Sequence, residues 1–237
     1  MTFGAAVTPS DAPEFSPGLI VKDLKKSFPQ SNGSPERVLY DGLSFTLGRS
    51  DKLALLGRNG QGKSSLIKIL GGVLPYNSGV VDWHMSSSWP IGFGGGFQGS
   101  LSGLDNVRFL SRIYDVPYEE ALERVENFAE LGKALCQPVK QYSSGMRARL
   151  AFGLSLAIDF DCYLIDELMA VGDARFVAKC NEELFDRRGD RAFVIASHDM
   201  HTISRTCDRA LIINAGEAKL FSDVDEAIDI YNWLRAP

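Results

Sequence analysis

Gly57-Arg58-Asn59-Gly60-Gln61-Gly62-Lys63-Ser64 matches the pattern G-x-x-x-x-G-K-[ST], and the residues on either side suit it. Lys52 to Leu56 is a compact apolar run of strand type that leads directly into Gly57. Ser65-Leu66-Ile67-Lys68-Ile69-Leu70 then reads as a helix behind Ser64. In such a strand–loop–helix the glycines let backbone N–H groups turn inward and cradle phosphate oxygens at the positive end of the helix dipole. Lys63 is placed to neutralise β and γ phosphates, and the Ser64 hydroxyl offers Mg²⁺ the hard oxygen ligand it prefers. A glycine-rich turn without function is the alternative, and the matching strand and helix count against it. The run predicts a nucleotide site in a P-loop fold.

Outward from it, Cys162 to Ile165, Ala192 to Ala196 and Ala210 to Ile213 are short continuous apolar runs, as expected of parallel strands covered on both faces. Tyr118 to Lys133 puts Ala121, Leu122, Val125, Phe128 and Ala129 on one helical stripe, with Pro117 at the helix start. Strands alternating with helices give an α/β class. Leu19-Ile20-Val21 and Leu43 to Leu47 predict further strands near the N-terminus, separated by the turn-forming loop Pro29 to Glu36. Residues 1–17, with Pro9, Pro13 and Pro17, read as a mobile tail before a folded domain at 18–237.

The 237 residues, 45% of them hydrophobic and 23% charged, fit one domain, or one with an inserted lobe, and can fill a sizeable core. Lys and Arg number 25 against 30 Asp and Glu, a net charge of −5 that argues against a nucleic-acid partner. Leu150 to Ile158, the longest nearly uncharged apolar run, is far below the roughly 20 residues that span a bilayer. Met1 to Gly18 lacks the basic start and apolar segment of a secretory signal. Cys136, Cys162, Cys180 and Cys207 contain no C-x-x-C pair, and we read them as free thiols of a reducing cytoplasm.

A phosphate loop does not by itself choose among GTPases, kinases and motor ATPases. No N-K-x-D base-recognition motif is present, which disfavours a GTPase. Tyr163-Leu164-Ile165-Asp166-Glu167 is an apolar run ending in two carboxylates: Asp166 can hold Mg²⁺ through water and Glu167 can polarise an attacking water. Acidic residues at a helix start are the plain alternative. Tyr142-Ser143-Ser144-Gly145-Met146 precedes a helix expected over Arg147 to Ala157 and is either an N-cap or an anion site. Ala196-Ser197-His198-Asp199 puts a histidine just past a buried strand, where α/β sites lie.

Taken in order, these segments resemble the nucleotide-binding subunits of ABC transporters, over about residues 19–222. The resemblance implies a P-loop core with a helical lobe at about 95–155 and an antiparallel β element near the N-terminus. It implies ATP and Mg²⁺ as cofactors, ATPase activity, and a head-to-tail homodimer in which each ATP lies between the Walker A segment of one chain and the signature of the other. By the same resemblance Gly57 to Ser65 hold the nucleotide, Phe28 stacks on adenine, and Ser64 and Asp166 serve the metal. Glu167 is then the general base, His198 the γ-phosphate sensor, Asp173 the D-loop residue, and Ser144 and Gly145 the signature contacts from the opposite subunit. Since Lys63, Asp166, Glu167 and His198 are all present, an interaction-only pseudo-ATPase is disfavoured.

Two segments depart from the general family. Tyr142-Ser143-Ser144-Gly145-Met146 stands where Leu-Ser-Gly-Gly-Gln is usual, and Gln98 lies too close to Leu101-Ser102-Gly103 for the family's Mg²⁺-contacting glutamine. Both departures resemble the branch that exports polysaccharides from bacteria. So do Gly92-Phe93-Gly94-Gly95-Gly96-Phe97, Leu101-Ser102-Gly103-Leu104-Asp105-Asn106 and the run from Asp166 to Asp173. Only residues 199–237 follow His198, which leaves no room for the carbohydrate-binding domain that O-antigen exporters often append. The expectation is a peripheral subunit on the cytoplasmic face of the inner membrane, driving two membrane-spanning partners that export a lipid-linked capsular polysaccharide. Export of O-antigen or teichoic acid is the alternative, then a soluble ABC ATPase.

Three weaker signals remain. His198 and His201 with Cys207 suggest a zinc site without a convincing fourth ligand. Trp83 and Trp89 are sugar contacts or, more simply, packing residues. Phe97 and Leu101 are docking residues for the membrane partner or part of an ordinary mobile loop.

Overall fold

Alternation of side chains along five short strands builds the central layer. In the computed structural model, which describes residues 17–29, 36–91, 97–166 and 174–235, β3 (Lys52–Leu56) pairs in parallel with β6 (Ala192–Ala196) on one side and β7 (Arg209–Asn214) on the other. Outside them lie β5 (Cys162–Asp166), parallel to β6, and β8 (Glu217–Phe221), antiparallel to β7. Leu53, Leu55, Leu164, Val194, Leu211 and Ile213 belong to one hydrophobic core, and Ala54, Leu56, Tyr163, Ile165, Phe193, Ile195 and Ile212 to another. Because successive strand residues point to opposite faces, both faces of this sheet must be covered.

One cover is a three-stranded antiparallel sheet. β1 (Pro17–Phe28) lies between β2 (Arg37–Gly48) and β4 (Ser78–Trp83), with Val21 opposite both Phe45 and Val81. Leu19, Val21, Leu24, Phe45 and Leu47 share a core with α1 (Lys63–Leu70) and the central sheet. Both N-terminal strands run well beyond their apolar centres, because cross-strand pairing continues through polar residues such as Lys25, opposite Asp41. Pro17 opens β1 rather than closing the expected tail, and residues 1–16 lie outside the described residues.

The other face carries α5 (Ala174–Asn181), α6 (Met200–Thr206) and α7 (Val224–Arg235), through Phe176, Ile203, Ala227 and Tyr231. A helical lobe of α2 (Gly103–Ile113), α3 (Tyr118–Ala129) and α4 (Ser144–Ala157) has a core of its own around Val107, Val125, Leu135 and Leu150. Two helix boundaries differ from expectation. α3 stops at Ala129, where Glu130 takes a left-handed φ of 54° and the chain turns so that Leu135 enters the lobe core. α4 starts at Ser144, because the Ser143 hydroxyl accepts from the Met146 N–H at 3.2 Å and caps the helix before Arg147.

No helix among the described residues is long and apolar enough to cross a membrane. All four cysteines are free thiols, and burial pushes those of Cys180 and Cys207 up to about 12.

Candidate functional site

The phosphate loop joins β3 to α1, and its carbonyls are held from three other parts of the chain. From β2, the Arg37 guanidinium donates to the Gly60 carbonyl and the buried Tyr40 hydroxyl to the Gly62 carbonyl. The latter also accepts the Leu66 N–H of α1 at 2.9 Å. From α7, the Tyr231 hydroxyl donates to the Gly57 carbonyl at 3.2 Å. From the turn between β7 and β8, the Ala215 N–H donates to Gln61 Oε1 at 2.8 Å. A trans peptide sets its N–H opposite its carbonyl, so holding the Gly62 carbonyl against Tyr40 and α1 turns the Lys63 N–H to the other side. Gly62 has a φ of 113°, and a Cβ there would lie 2.6 Å from the Tyr40 hydroxyl. Burial pushes the Tyr40 phenol well above its ordinary range, so it remains a donor.

Lys63 Nζ donates to the Gly57 carbonyl at 2.6 Å and to that of Arg58 at 3.3 Å. The Ser64 hydroxyl donates across 2.8 Å to Oδ1 of Asp166, which ends β5 and is 2% exposed. Above them opens a cleft of about 420 Å³. It is lined by Phe28, Arg37 and Leu39, by Asn59, Gly60, Gly62, Lys63, Ser64 and Ser65 of the loop and α1, and by Asp166, Ala196, Ser197 and His198. Lys26 Nζ lies 4.5 Å from the Phe28 ring centroid, which gives that ring a cationic neighbour. Beyond His198, Asp199 caps α6 by accepting the His201 N–H at 3.1 Å. The Thr202 hydroxyl, 2.6 Å away, is foremost in holding the Asp199 carboxyl below the usual carboxylate range.

Residues that the sequence puts far apart, Phe28, Asn59, Gly60, Gly62 to Ser65, Asp166 and His198, therefore line one cleft. Gly57, Arg58 and Gln61 belong to the loop without lining the cleft, Gly57 and Gln61 being turned to the partners described above. Ser144 and Gly145 are absent from the lining: they stand at the first turn of α4, with Ser144 exposed. Glu167 and Asp173, and the segment Gly92 to Gly96, lie outside the described residues. Arg37, Tyr40 and Tyr231 were missed. A hydroxyl on a buried tyrosine needs an acceptor, and that is the one signal pointing to the last two.

The two departures from the general family pattern touch each other. A Cβ on Gly103 would lie 2.8 Å from the Tyr142 hydroxyl, which itself donates to the Ala134 carbonyl at 2.6 Å. Asn106, fully buried, accepts the Gln98 N–H at 2.6 Å and donates to the carbonyls of Gln98 and Ser102 at 3.1 and 2.8 Å. Gln98 itself is exposed and does not line the cleft. Phe97 packs on the lobe core while Leu101 is exposed. The tryptophans are packing residues: Trp83 Nε1 donates to the Leu70 carbonyl at 3.1 Å, and Trp89 meets Phe160 edge to face at 5.5 Å. Among the described residues no group of three metal-ligating side chains is found, and Cys207 is buried in a core with Ile203.

Residues 40–170 match the family described as ABC transporter. The capsule polysaccharide export ATP-binding protein CtrD of Neisseria meningitidis serogroup B is 50% identical over 197 residues, 83% of this chain and 91% of its own length. This chain belongs to the ABC transporter family. The ATP-binding protein BexA of Haemophilus influenzae is 48% identical over 196 residues, again 83% of this chain and 90% of its own length. Relatives named for O-antigen export in Klebsiella pneumoniae and teichoic acid export in Bacillus anthracis stand lower, at 32% and 33%. A solved ATP-binding subunit of an ABC transporter superposes with a TM-score of 0.74 at 20% identity, covering 92% of this chain and 95% of its own. The ABC fold expected from the sequence is thus the fold observed, and the chain is an ATPase of ABC type.

Proposed function

We propose that this ABC subunit binds ATP and Mg²⁺ in the cleft beside Lys63 and uses hydrolysis to drive export of a lipid-linked capsular polysaccharide. The observation that carries the chemistry is the convergence of Lys63, the Ser64–Asp166 pair, Phe28 and His198 on one cleft of about 420 Å³. Identity of 50% with a capsule exporter's ATP-binding protein supports the substrate class.

In this reading Gly57 to Ser65 hold the phosphates, with the ammonium of Lys63 on the β and γ groups. Mg²⁺ takes the Ser64 hydroxyl and Asp166, whose oxygens are the donors a hard cation prefers. Phe28 stacks on adenine, its ring lining the cleft together with Arg37. Glu167 acts as general base toward the attacking water, and His198 contacts the γ-phosphate. Ser144 and Gly145, standing away from this cleft at the start of α4, complete the site of a second copy in a head-to-tail dimer, as does Asp173. The dimer works against two membrane-spanning partner subunits at the cytoplasmic face of the inner membrane. The domain starts with Pro17 of β1 and runs to residue 237, with residues 1–16 as its tail, and nucleic acid is not a partner.

The experiment is affinity purification of the Glu167→Gln chain with ATP from gently solubilised native membranes, with mass spectrometry of what accompanies it. That variant is expected to bind ATP, to stay dimeric, and to retain a multi-span partner in stoichiometric amount. Recovery of a lone dimer or of water-soluble partners only would overturn the transport role. Lys63→Ala is expected to abolish ATP binding, and retained binding in a titration would overturn the phosphate site.

A further inference from the structure

The first carbonyl of the phosphate loop is braced from the far end of the chain. Gly57 O accepts from Lys63 Nζ at 2.6 Å and from the Tyr231 hydroxyl at 3.2 Å, so both lone pairs are engaged. Tyr231 is 3% exposed on α7, which packs on β7 and β3, and its ring is fixed in the core formed with Ala227, Ile212 and Phe221. Gly57 cannot brace its own peptide. It has no side chain, and a Cβ would come 2.5 Å from the Ile213 carbonyl oxygen. Two of the N–H bonds of the Lys63 ammonium go to the Gly57 and Arg58 carbonyls, so the ammonium is anchored on the loop's own backbone. The orientation of the Gly57 carbonyl therefore sets where Lys63 aims.

We propose that Tyr231 is a positioning residue for Lys63: its hydroxyl holds the Gly57 carbonyl so that the ammonium is directed to the nucleotide phosphates before they arrive. The role rests on the nucleotide reading of the cleft. It makes α7 part of the phosphate site although Tyr231 lines no part of that cleft.

Tyr231→Phe removes the hydroxyl and keeps the ring. The test measures ATP binding by titration, basal ATP hydrolysis and thermal unfolding of the full-length chain for wild type, Tyr231→Phe, Trp233→Ala and Lys63→Ala. Trp233, 76% exposed on the same helix, serves as the control for a change on α7. The KM for ATP is expected to rise about fivefold in Tyr231→Phe, the scale of one neutral hydrogen bond, with kcat within about twofold and Tm unchanged. Trp233→Ala should match wild type in all three. An unchanged KM, or a KM that rises only together with a fall in Tm, overturns the positioning role. If Lys63→Ala loses ATP binding while Tyr231→Phe does not differ from wild type, the cleft reading stands and this inference fails. Retained ATP binding by Lys63→Ala overturns both.

Discussion

Ser64 and Gly62 sit two residues apart in the loop and serve it by different means. The Ser64 hydroxyl spans 2.8 Å to Asp166, tying the start of α1 to the end of β5 and so bringing two oxygen donors together before any cation is present. Gly62 contributes by lacking a side chain. Its φ of 113° lies where L-residues are strained, and the Tyr40 hydroxyl occupies the space that a Cβ would take. Gly62→Ala is therefore expected to destabilise the chain by about 1–3 kcal/mol, from overpacking added to backbone strain. For a chain of this size that lowers Tm by about 2–4 °C per kcal/mol. Thermal unfolding of Gly62→Ala, alone and combined with Tyr40→Phe, checks the cause. Removing the phenol oxygen should recover part of the loss by relieving the contact, and a double variant no better than additive would assign the whole cost to the backbone.

Elements differ in how far local sequence specifies them, and the limits have physical causes. β3 and β6 are observed over the residues their apolar runs occupy, because a strand buried on both faces carries its signal in every residue. β1 and β2 are half exposed, and their ends are set by pairing partners rather than by composition, so the apolar centre of each underestimates it. The cleft divides in the same way. Asn59, Gly60, Gly62 to Ser64, Asp166 and His198 were legible because each lies at or just past a strand end within a motif of fixed spacing. Arg37, Tyr40 and Tyr231 act on backbone carbonyls 23, 22 and 174 residues away, and contacts at such separations leave no pattern in either segment. Asn106 is an intermediate case: the motif from Leu101 to Asn106 was visible, but its purpose was not. Three hydrogen bonds from one fully buried amide hold the segment at Gln98 and Ser102 onto the first turn of α2. Asn106→Leu is expected to cost about 2 kcal/mol, the price of a lost buried network, and to speed amide exchange at Gln98. Hydrogen exchange that is unchanged at Gln98 would mean that the segment is held by other contacts.

At the scale of the whole molecule, the absence of the first turn of α4 from the cleft lining is the feature with the largest consequence. Phe28, Lys63 and His198 wall it from one chain, while Ser144 and the N-terminal turn of α4 belong to a lobe whose core is separate, and they contribute nothing to that lining. Helix N-termini favour anions, so a signature turn left exposed is suited to a phosphate held by another copy. Mixing experiments separate that arrangement from a site completed within one chain. Lys63→Ala and Ser144→Arg chains are each expected to be inactive as homodimers, the first for want of the phosphate ammonium and the second because a guanidinium fills the signature turn. In a head-to-tail heterodimer one site collects both lesions and the other collects neither, so an equal mixture with random pairing should restore up to about a quarter of the hydrolysis of wild-type dimers, while a chain carrying both changes leaves a lesion in each site even when it pairs with wild type. Hydrolysis rates measured across mixing ratios decide the matter, since a site completed within each chain stays inactive at every ratio.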